Sequence, residues 1–211
     1  MEIDGKPKKL SWRDLEVLTD SFCKENFIVN VQFGKLYRGK TPDAQKLTVK
    51  IWWLPSDEVC TIALGDGAIV DRLERELLVL TNPDLGNHPN LVKLIGYCCE
   101  DQGSHYGVVY DVRSKDYLLN LIEKENAAAL GVARVLEHLH ERNYLVCNVH
   151  PTHVILDQDS NPVLLDFSLR PDRTIVKRYP CTVYYGYDGY VDPLFVHNGI
   201  YEKRKNWENL N

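Results

Sequence analysis

The sequence predicts an α+β fold in which strands dominate up to about residue 112 and a helix leads the remainder. Two observations support this prediction. Between residues 27 and 112 the apolar residues alternate with polar ones or form short β-rich runs, which is typical of strands. Two longer segments, at 68–81 and 127–142, instead repeat apolar residues at helical spacing. We therefore expect a strand-rich unit followed by a helix-led one.

The first element is a short helix. Ser11 and Asp14 have the spacing of a capping box, in which two side chains satisfy the free backbone N–H groups where a helix begins. Three apolar residues then follow at helical spacing and predict a helix over residues 12–22: Leu15, Leu18 and Phe22.

Strands follow from residue 27 to residue 54. The β-rich segments FIVNVQF and KLYRG lie on either side of Gly34, and LTVKIWWL alternates between two faces of a predicted strand. Lys50 lies on one of those faces, next to Trp52 and Leu54. A lysine is thus expected on a largely apolar strand face.

The helix predicted at 68–81 carries a matching carboxylate. Glu76 lies between Leu73 and Leu80 within the apolar stripe of this helix. Burying either a lysine or a glutamate alone is costly, whereas each can cancel the charge of the other. We predict a partly buried Lys50–Glu76 ion pair; the alternative is that both side chains reach solvent at the edge of the stripe.

The second half contains further strands and a strong helix. NLVKLIGYCC and YGVVYDV predict two strands, and THVILD and PVLLDF, joined by QDSN, predict a hairpin. AAALGVARVLEHLHER predicts a helix with four residues on one line: Ala129, Ala133, Leu136 and His140.

Composition excludes several classes of function. The net charge of −5 gives no basic surface for nucleic acid and no polybasic membrane patch, and no apolar run is long enough to span a bilayer. The six cysteines are scattered through apolar segments, which favours reduced thiols over a disulfide framework. We therefore expect a cytoplasmic protein without a membrane anchor of its own.

Eight segments occur in the order, and at the approximate spacing, in which they occur in protein kinases. They are SWRDLEVLTDSFCKENFI, TVKI, LERELLVL, NHPNLVKLIGYC, VVYDV, ALGVARVLEHLHE, LLDFSL and GYVDP. On these segments the chain resembles the protein-kinase superfamily, and most closely the plant receptor-like cytoplasmic kinases. The resemblance implies an N-terminal extension over residues 1–26, a strand-rich N-lobe and hinge over 27–112, and a partial helical C-lobe over 113–211.

The resemblance also implies an ATP and Mg²⁺ site, expected here to be weak or lost. Lys50 and Glu76 match the lysine–glutamate pair of the family, VVYDV matches the hinge with Tyr110 at the gatekeeper position, and Asp166 matches the metal-binding aspartate. The residues expected at a weak ATP site are Lys50, Glu76, Gly34, Val29, Val31, Asp111 and Asp166, with Asp166 also expected to hold Mg²⁺.

The segment YLVCNVHPTHVILD departs from the family at the residues that react. Asn148 matches the catalytic aspartate, and an amide cannot accept a proton near neutral pH. His150 matches a phosphate-binding lysine, and His153 matches an asparagine that binds the second Mg²⁺. Val29 and Val31 replace the first two glycines of the phosphate loop and would obstruct the approach of the backbone to the phosphates. These changes predict a pseudokinase with no catalytic residue of its own.

Two other interpretations of the site stay open. The residues Cys147, His150 and His153, with His138 and His140 nearby, are possible transition-metal ligands, although their spacing fits no standard zinc signature. The chain could also be an active Ser/Thr kinase that compensates for its lost groups.

The end of the sequence raises a third alternative and a prediction about partners. After GYVDP, Leu194 replaces a family glutamate and Lys205 lies where an anchoring aspartate is expected, so the helical lobe is predicted to be incomplete. The chain could then be a nonfunctional remnant. Otherwise the resemblance implies an adaptor, decoy or allosteric partner of a receptor kinase or immune receptor, recruited by it to the plasma membrane, and the apolar helix at 129–139 could support self-association.

Overall fold

The computed structural model describes residues 6–31, 34–52, 68–100, 105–117, 125–144, 146 and 149–167. Six strands form one sheet in the order β1-β5-β6-β4-β3-β2, and three short strands form a second sheet in the order β7-β8-β9. The strands of the large sheet are β1 Lys8–Leu10, β2 Phe27–Val31, β3 Gly34–Lys40, β4 Lys46–Trp52, β5 Leu94–Glu100 and β6 His105–Tyr110. Those of the small sheet are β7 Asp116–Tyr117, β8 Val154–Leu156 and β9 Pro162–Leu164. The helices are α1 Trp12–Thr19, α2 Ala68–Thr81 and α3 Glu125–Glu141, with 3₁₀ turns at Lys24–Asn26 and Pro151–His153.

The α+β class predicted from the sequence is confirmed, with a sheet-rich first part and few helices. The predicted helix at 68–81 and the predicted hairpin near residues 152–167 are both present, the latter as the antiparallel pair β8–β9. None of the helices in the described part of the chain is long and apolar enough to cross a bilayer.

Helix α1 begins where predicted but ends earlier. Ser11 and Asp14 form both halves of the capping box. The helix stops at Thr19 instead of continuing to Phe22, because residues 20–22 all have positive φ angles between 54° and 55°, which no right-handed helix allows. The reversal brings the Phe22 ring back to the Trp12 ring, with centroids 4.9 Å apart.

Strand β1 was not predicted from the sequence. It pairs in parallel with β5, with Lys8 opposite Gly96. A three-residue strand with two exposed lysines lacks the alternation that identifies strands. Its contact depends on a glycine, since a Cβ at Gly96 would lie 2.7 Å from Cδ1 of Leu10.

The line of residues at helical spacing in α3 is not its buried face. Of the residues predicted to share a line, Ala129, Ala133 and His140 are exposed and Leu136 is partly buried. A helix with apolar residues on several sides does not reveal its buried face by spacing alone. The burial is set by close packing on β9, where a Cβ at Gly131 would lie 2.2 Å from Cγ of Pro162. The fully buried residues of this helix include Val135 and Leu139, while Leu130 is 53% exposed; self-association through this helix stays a prediction.

One apolar cluster joins the large sheet to the β8–β9 hairpin. It contains residues from both units, including Ile28, Val31, Trp52, Val108, Ile155, Val163 and Leu165. Strand β2 also lies close to the 3₁₀ turn at 151–153. The first strands and the segment that matches a catalytic loop therefore pack against each other.

Candidate functional site

The predicted ion pair between β4 and α2 is present. Nζ of Lys50 lies 3.4 Å from Oε2 of Glu76, and both side chains are fully buried. The ammonium also lies 4.5 Å from the centre of the Trp52 ring, a distance at which the negative face of an indole attracts a cation. The alternative, in which both side chains reach solvent, is thereby excluded.

Glu76 accepts hydrogen bonds from three other groups. The Tyr110 hydroxyl donates to Oε1 at 2.5 Å, and the backbone N–H groups of Asp166 and Phe167 donate at 3.4 and 3.0 Å. Burial raises the pKa of Tyr110 well above its ordinary value, and the neighbouring Glu76 carboxylate adds to that effect. The phenol therefore stays protonated and keeps donating. Glu76 thus connects β4, β6 and the segment after β9.

Asp166 has a protein nitrogen beside each of its carboxylate oxygens. Oδ1 lies 3.2 Å from Nζ of Lys50, and Oδ2 lies 3.4 Å from Nε2 of His153. All three side chains are fully buried. Buried carboxylates need partners of this kind, since an uncompensated buried charge is strongly destabilising.

The His150 side chain accepts a hydrogen bond from within its own loop. It lies at the N-cap of the 3₁₀ turn, where its Nδ1 accepts the backbone N–H of Thr152 at 3.2 Å and lies 2.8 Å from the Thr152 hydroxyl. Burial, and to a smaller degree the nearby His153, lower the pKa of His150 to about 4. The ring is thus neutral at pH 7 and serves as a hydrogen-bond acceptor, so it cannot replace the positive charge of a lysine.

The predicted phosphate-side residues lie in the sheet. Val29 and Val31 are buried in β2 and belong to the shared apolar cluster. Gly34 begins β3, and a Cβ there would lie 2.4 Å from the carbonyl oxygen of Ile51. Close packing of β3 on β4 is therefore a sufficient reason for this glycine. Asp111 is only partly buried and accepts a hydrogen bond from the side chain of Gln45 at 3.0 Å.

In the described part of the chain, the buried groups paired with the Asp166 carboxylate are nitrogens, not oxygen ligands. Both oxygens of Asp166 already face nitrogens, and a positively charged lysine occupies the space beside one of them. Mg²⁺ prefers oxygen ligands in a near-octahedral arrangement, and an imidazole nitrogen is a poor substitute. Among the described residues no group of three or more His, Cys, Asp or Glu could hold a metal ion.

The zinc interpretation also finds no support in the described residues. Nε2 of His138 lies 3.1 Å from the carbonyl oxygen of Leu85, and His140 is exposed on α3. Cys147 and Asn148 lie outside the described residues, as do Leu194 and Lys205.

Comparison with known proteins identifies the family. The chain is 30% identical to the "LRR receptor kinase SERK2" of Oryza sativa subsp. japonica over 95% of its own length and 33% of that protein. It is 32% identical to the "Probable serine/threonine-protein kinase PBL8" of Arabidopsis thaliana, over 88% of this chain and 47% of that one. The matching region covers nearly the whole chain and contains Lys50, Glu76 and Asp166.

The chain belongs to the protein-kinase superfamily. A third relative, the "Probable serine/threonine-protein kinase PBL28" of Arabidopsis thaliana, is 30% identical over 89% of this chain and 51% of that protein. The chain thus spans between about a third and about half of the length of these three relatives. No protein-family model matches it.

Two contacts in this kinase-like site were not predicted. Tyr110 was placed at the gatekeeper position, but its bond to Glu76 was not foreseen; the available signal was a hydroxyl within a buried strand, which needs a partner. The contact between His153 and Asp166 was also missed. It could have been inferred from the family positions, since both match metal ligands and metal ligands lie close together.

Proposed function

We propose that this kinase-like chain is a catalytically impaired member of its superfamily, a pseudokinase, that acts through protein partners in plant receptor or immune signalling. The observation that carries the proposal is the position of Asp166. Its carboxylate lies between Lys50 and His153 with all three side chains buried. Protein nitrogens thereby lie beside both oxygen atoms that would hold Mg²⁺ in a kinase.

The surrounding residues support the same conclusion. In kinases catalysis consists of positioning phosphates and metal ions and stabilising charge. Here His150 is neutral and caps its own turn, and Asn148 cannot act as a base. Val29 and Val31 of β2 are buried in the apolar cluster that joins the large sheet to the β8–β9 hairpin, instead of providing the open backbone of a phosphate loop. We expect ATP and Mg²⁺ to bind weakly or not at all.

A role among protein partners agrees with the relatives, whose names describe receptor kinases and serine/threonine-protein kinases. We propose a receptor kinase or immune receptor as the partner and a cytoplasmic location, with recruitment to the plasma membrane by that partner. The alternative is an active Ser/Thr kinase, which is favoured by the retained Lys50, Glu76 and Asp166.

A phosphotransfer assay distinguishes a pseudokinase from an active kinase. The purified protein is incubated with labelled Mg-ATP and a generic protein substrate, beside Lys50→Met as the background control and Asn148→Asp/His150→Lys/His153→Asn as a restored variant. We expect the wild type to match Lys50→Met. Transfer by the wild type clearly above that background would refute the pseudokinase proposal, whatever the restored variant does.

A further inference from the structure

A groove lies away from the buried charges, between α1, the β3–β4 hairpin and residues 113–115. It has a volume of about 750 Å³. Val17 and Leu18 of α1 form part of its apolar lining, and Leu47 of β4 contributes to it as well. Neither Lys50 nor Asp166 lines the groove, so it is separate from the kinase-like site.

The groove is strongly cationic although the chain as a whole is acidic. Its lining contains five basic side chains and one carboxylate, that of Asp20, whereas the net charge of the chain is −5. The basic residues are all exposed: Arg38, Lys40, Lys46, Arg113 and Lys115. Among the described residues, none of the five lies within salt-bridge distance of a carboxylate. Such a concentration of one sign of charge in a concave surface attracts ligands of the opposite sign.

Two of these lysines lie directly opposite each other. Lys40 and Lys46 are cross-strand partners at the end of the β3–β4 pair. Like charges at directly opposed positions destabilise a sheet. An anionic ligand in the groove would remove this repulsion.

The shape and composition of the groove favour a peptide over a membrane surface. A concave surface suits a chain that can enter it, whereas a bilayer is a broad, flat surface. Val17 is 67% exposed at its wall, which offers an apolar contact beside the positive charges. From this combination we propose that the groove is a docking site for an acidic segment of a partner protein, rich in Asp or Glu and carrying an apolar side chain.

This inference rests on the proposed role of the chain as a protein-binding scaffold. Its test does not involve phosphate transfer, so its failure would leave the loss of catalysis untouched. The probe is a short fluorescent peptide of glutamates around a central leucine, with a second peptide of glutamines around the same leucine. Binding is followed by fluorescence anisotropy at low and at physiological salt.

The decisive variants change charge at two places. Arg113→Glu/Lys115→Glu reverses two charges in the groove, and we expect it to weaken binding of the glutamate peptide by roughly tenfold or more. Lys93→Glu/Arg134→Glu makes the same change in net charge at exposed positions outside the groove, and we expect less than about a twofold effect, since distant exposed charges are screened. Equal losses in the two double variants would refute a specific site.

One further variant, Lys46→Glu, should change thermal stability and peptide affinity in opposite directions. Lys46→Glu turns the opposed lysines into an attractive pair with Lys40, so the thermal midpoint should rise while peptide affinity falls. A merely structural role of these lysines would not lower affinity as stability increases. Equal binding of the glutamine peptide would overturn the proposal, and so would binding to phosphatidylserine vesicles without binding to the glutamate peptide.

Discussion

Nε2 of His153 lies 3.4 Å from Oδ2 of Asp166, and both side chains are fully buried. In the family pattern these positions hold an asparagine and an aspartate that share the task of binding metal. In this chain the imidazole lies against the carboxylate itself. The neighbour of this carboxylate oxygen is therefore a protein nitrogen, which is a poor ligand for Mg²⁺.

Replacing His153 with asparagine should make the protein responsive to magnesium. The shorter amide no longer fills the space beside Oδ2 and supplies an oxygen, the donor type that Mg²⁺ prefers. A ligand at a hundredfold excess over its Kd stabilises the folded state by about 2.7 kcal/mol. We expect Mg-ATP to raise the thermal midpoint of His153→Asn measurably above its value in EDTA, and to leave that of the wild type unchanged.

The control for this experiment is His140→Asn, which makes the same chemical change at an exposed position on α3. It should respond to Mg-ATP as the wild type does. A shift of several degrees for the wild type at micromolar Mg-ATP would contradict the argument, because it would show that the site accepts the nucleotide despite His153.

Lys50→Met should strongly destabilise the fold. The substitution leaves the carboxylates of Glu76 and Asp166 buried without the cation that lies between them. Breaking a buried ion pair by removing one partner costs about 3–5 kcal/mol. Urea denaturation at pH 7 measures this loss in the free energy of unfolding, and Lys93→Met, at an exposed position, should change it by less than about 0.5 kcal/mol.

A double-mutant cycle tests whether the destabilisation by Lys50→Met arises from the loss of its ion pair with Glu76. Lys50→Met/Glu76→Gln removes one of the two stranded charges, so it should be less destabilised than the sum of the two single variants. Additive effects would mean that the lysine contributes through its hydrocarbon chain instead of through its charge.

Sequence reasoning located the charged residues but not all of their partners. Lys50 and Glu76 were found because each interrupts an apolar face, and a buried charge implies an opposite charge nearby. The apolar pattern carries no such signal for His153 and Asp166, whose contact depends on how the β8–β9 hairpin folds back on itself; only their matched positions as metal ligands in the family point to it. The N-cap role of His150 was also missed, because histidine is not among the usual capping residues.

Among the helices and strands, too, the sequence predicts some features and misses others. Helix α2 was predicted with its observed limits because apolar residues recur along it at regular helical spacing. Helix α3 was predicted as a helix, but its spacing did not identify the buried face, since Gly131 and Pro162 decide it by close approach and a glycine carries no hydrophobic signal. Strand β1 was missed because its stability comes from pairing with β5.

The folded protein should lose stability in mild acid through His150. Its pKa is lowered from the ordinary value of 6.5 to about 4, so between these values the unfolded chain binds a proton that the folded chain rejects. The free energy of unfolding therefore falls as pH decreases from 6.5 toward 4. Titration of the His150 ring by NMR should give a midpoint near the lower value, and a midpoint close to 6.5 would contradict the capping geometry.

Two variants separate the effect of the hydrogen bond from Thr152 to His150 from the effect of protonating the His150 ring. His150→Asn keeps a side-chain acceptor for the N–H of Thr152 and removes the titrating ring, so it should be close to the wild type in stability at pH 7 and less sensitive to acid. His150→Ala removes both and should be less stable at either pH. If the two variants behave alike, the hydrogen bond to Thr152 does not contribute.

Tyr110→Phe should weaken the protein at neutral pH and change its response to alkali. The hydroxyl donates to Glu76, and a hydrogen bond to a charged group contributes about 1.5–3 kcal/mol, most of which the variant should lose. Because burial raises the pKa of Tyr110 above 10.0, its stabilising effect is complete below pH 10. It is lost as pH rises further, since the unfolded chain then gives up a proton that the folded chain retains. The difference in the free energy of unfolding between wild type and Tyr110→Phe, measured in urea at several pH values, should therefore be largest below pH 10 and should narrow above it.

Tyr97→Phe, at a partly buried position on β5, is the control at neutral pH for the loss of a tyrosine hydroxyl, and it should destabilise the protein less than Tyr110→Phe does. If Tyr110→Phe costs no more stability than Tyr97→Phe, the hydrogen bond from Tyr110 is not needed to hold Glu76 in place.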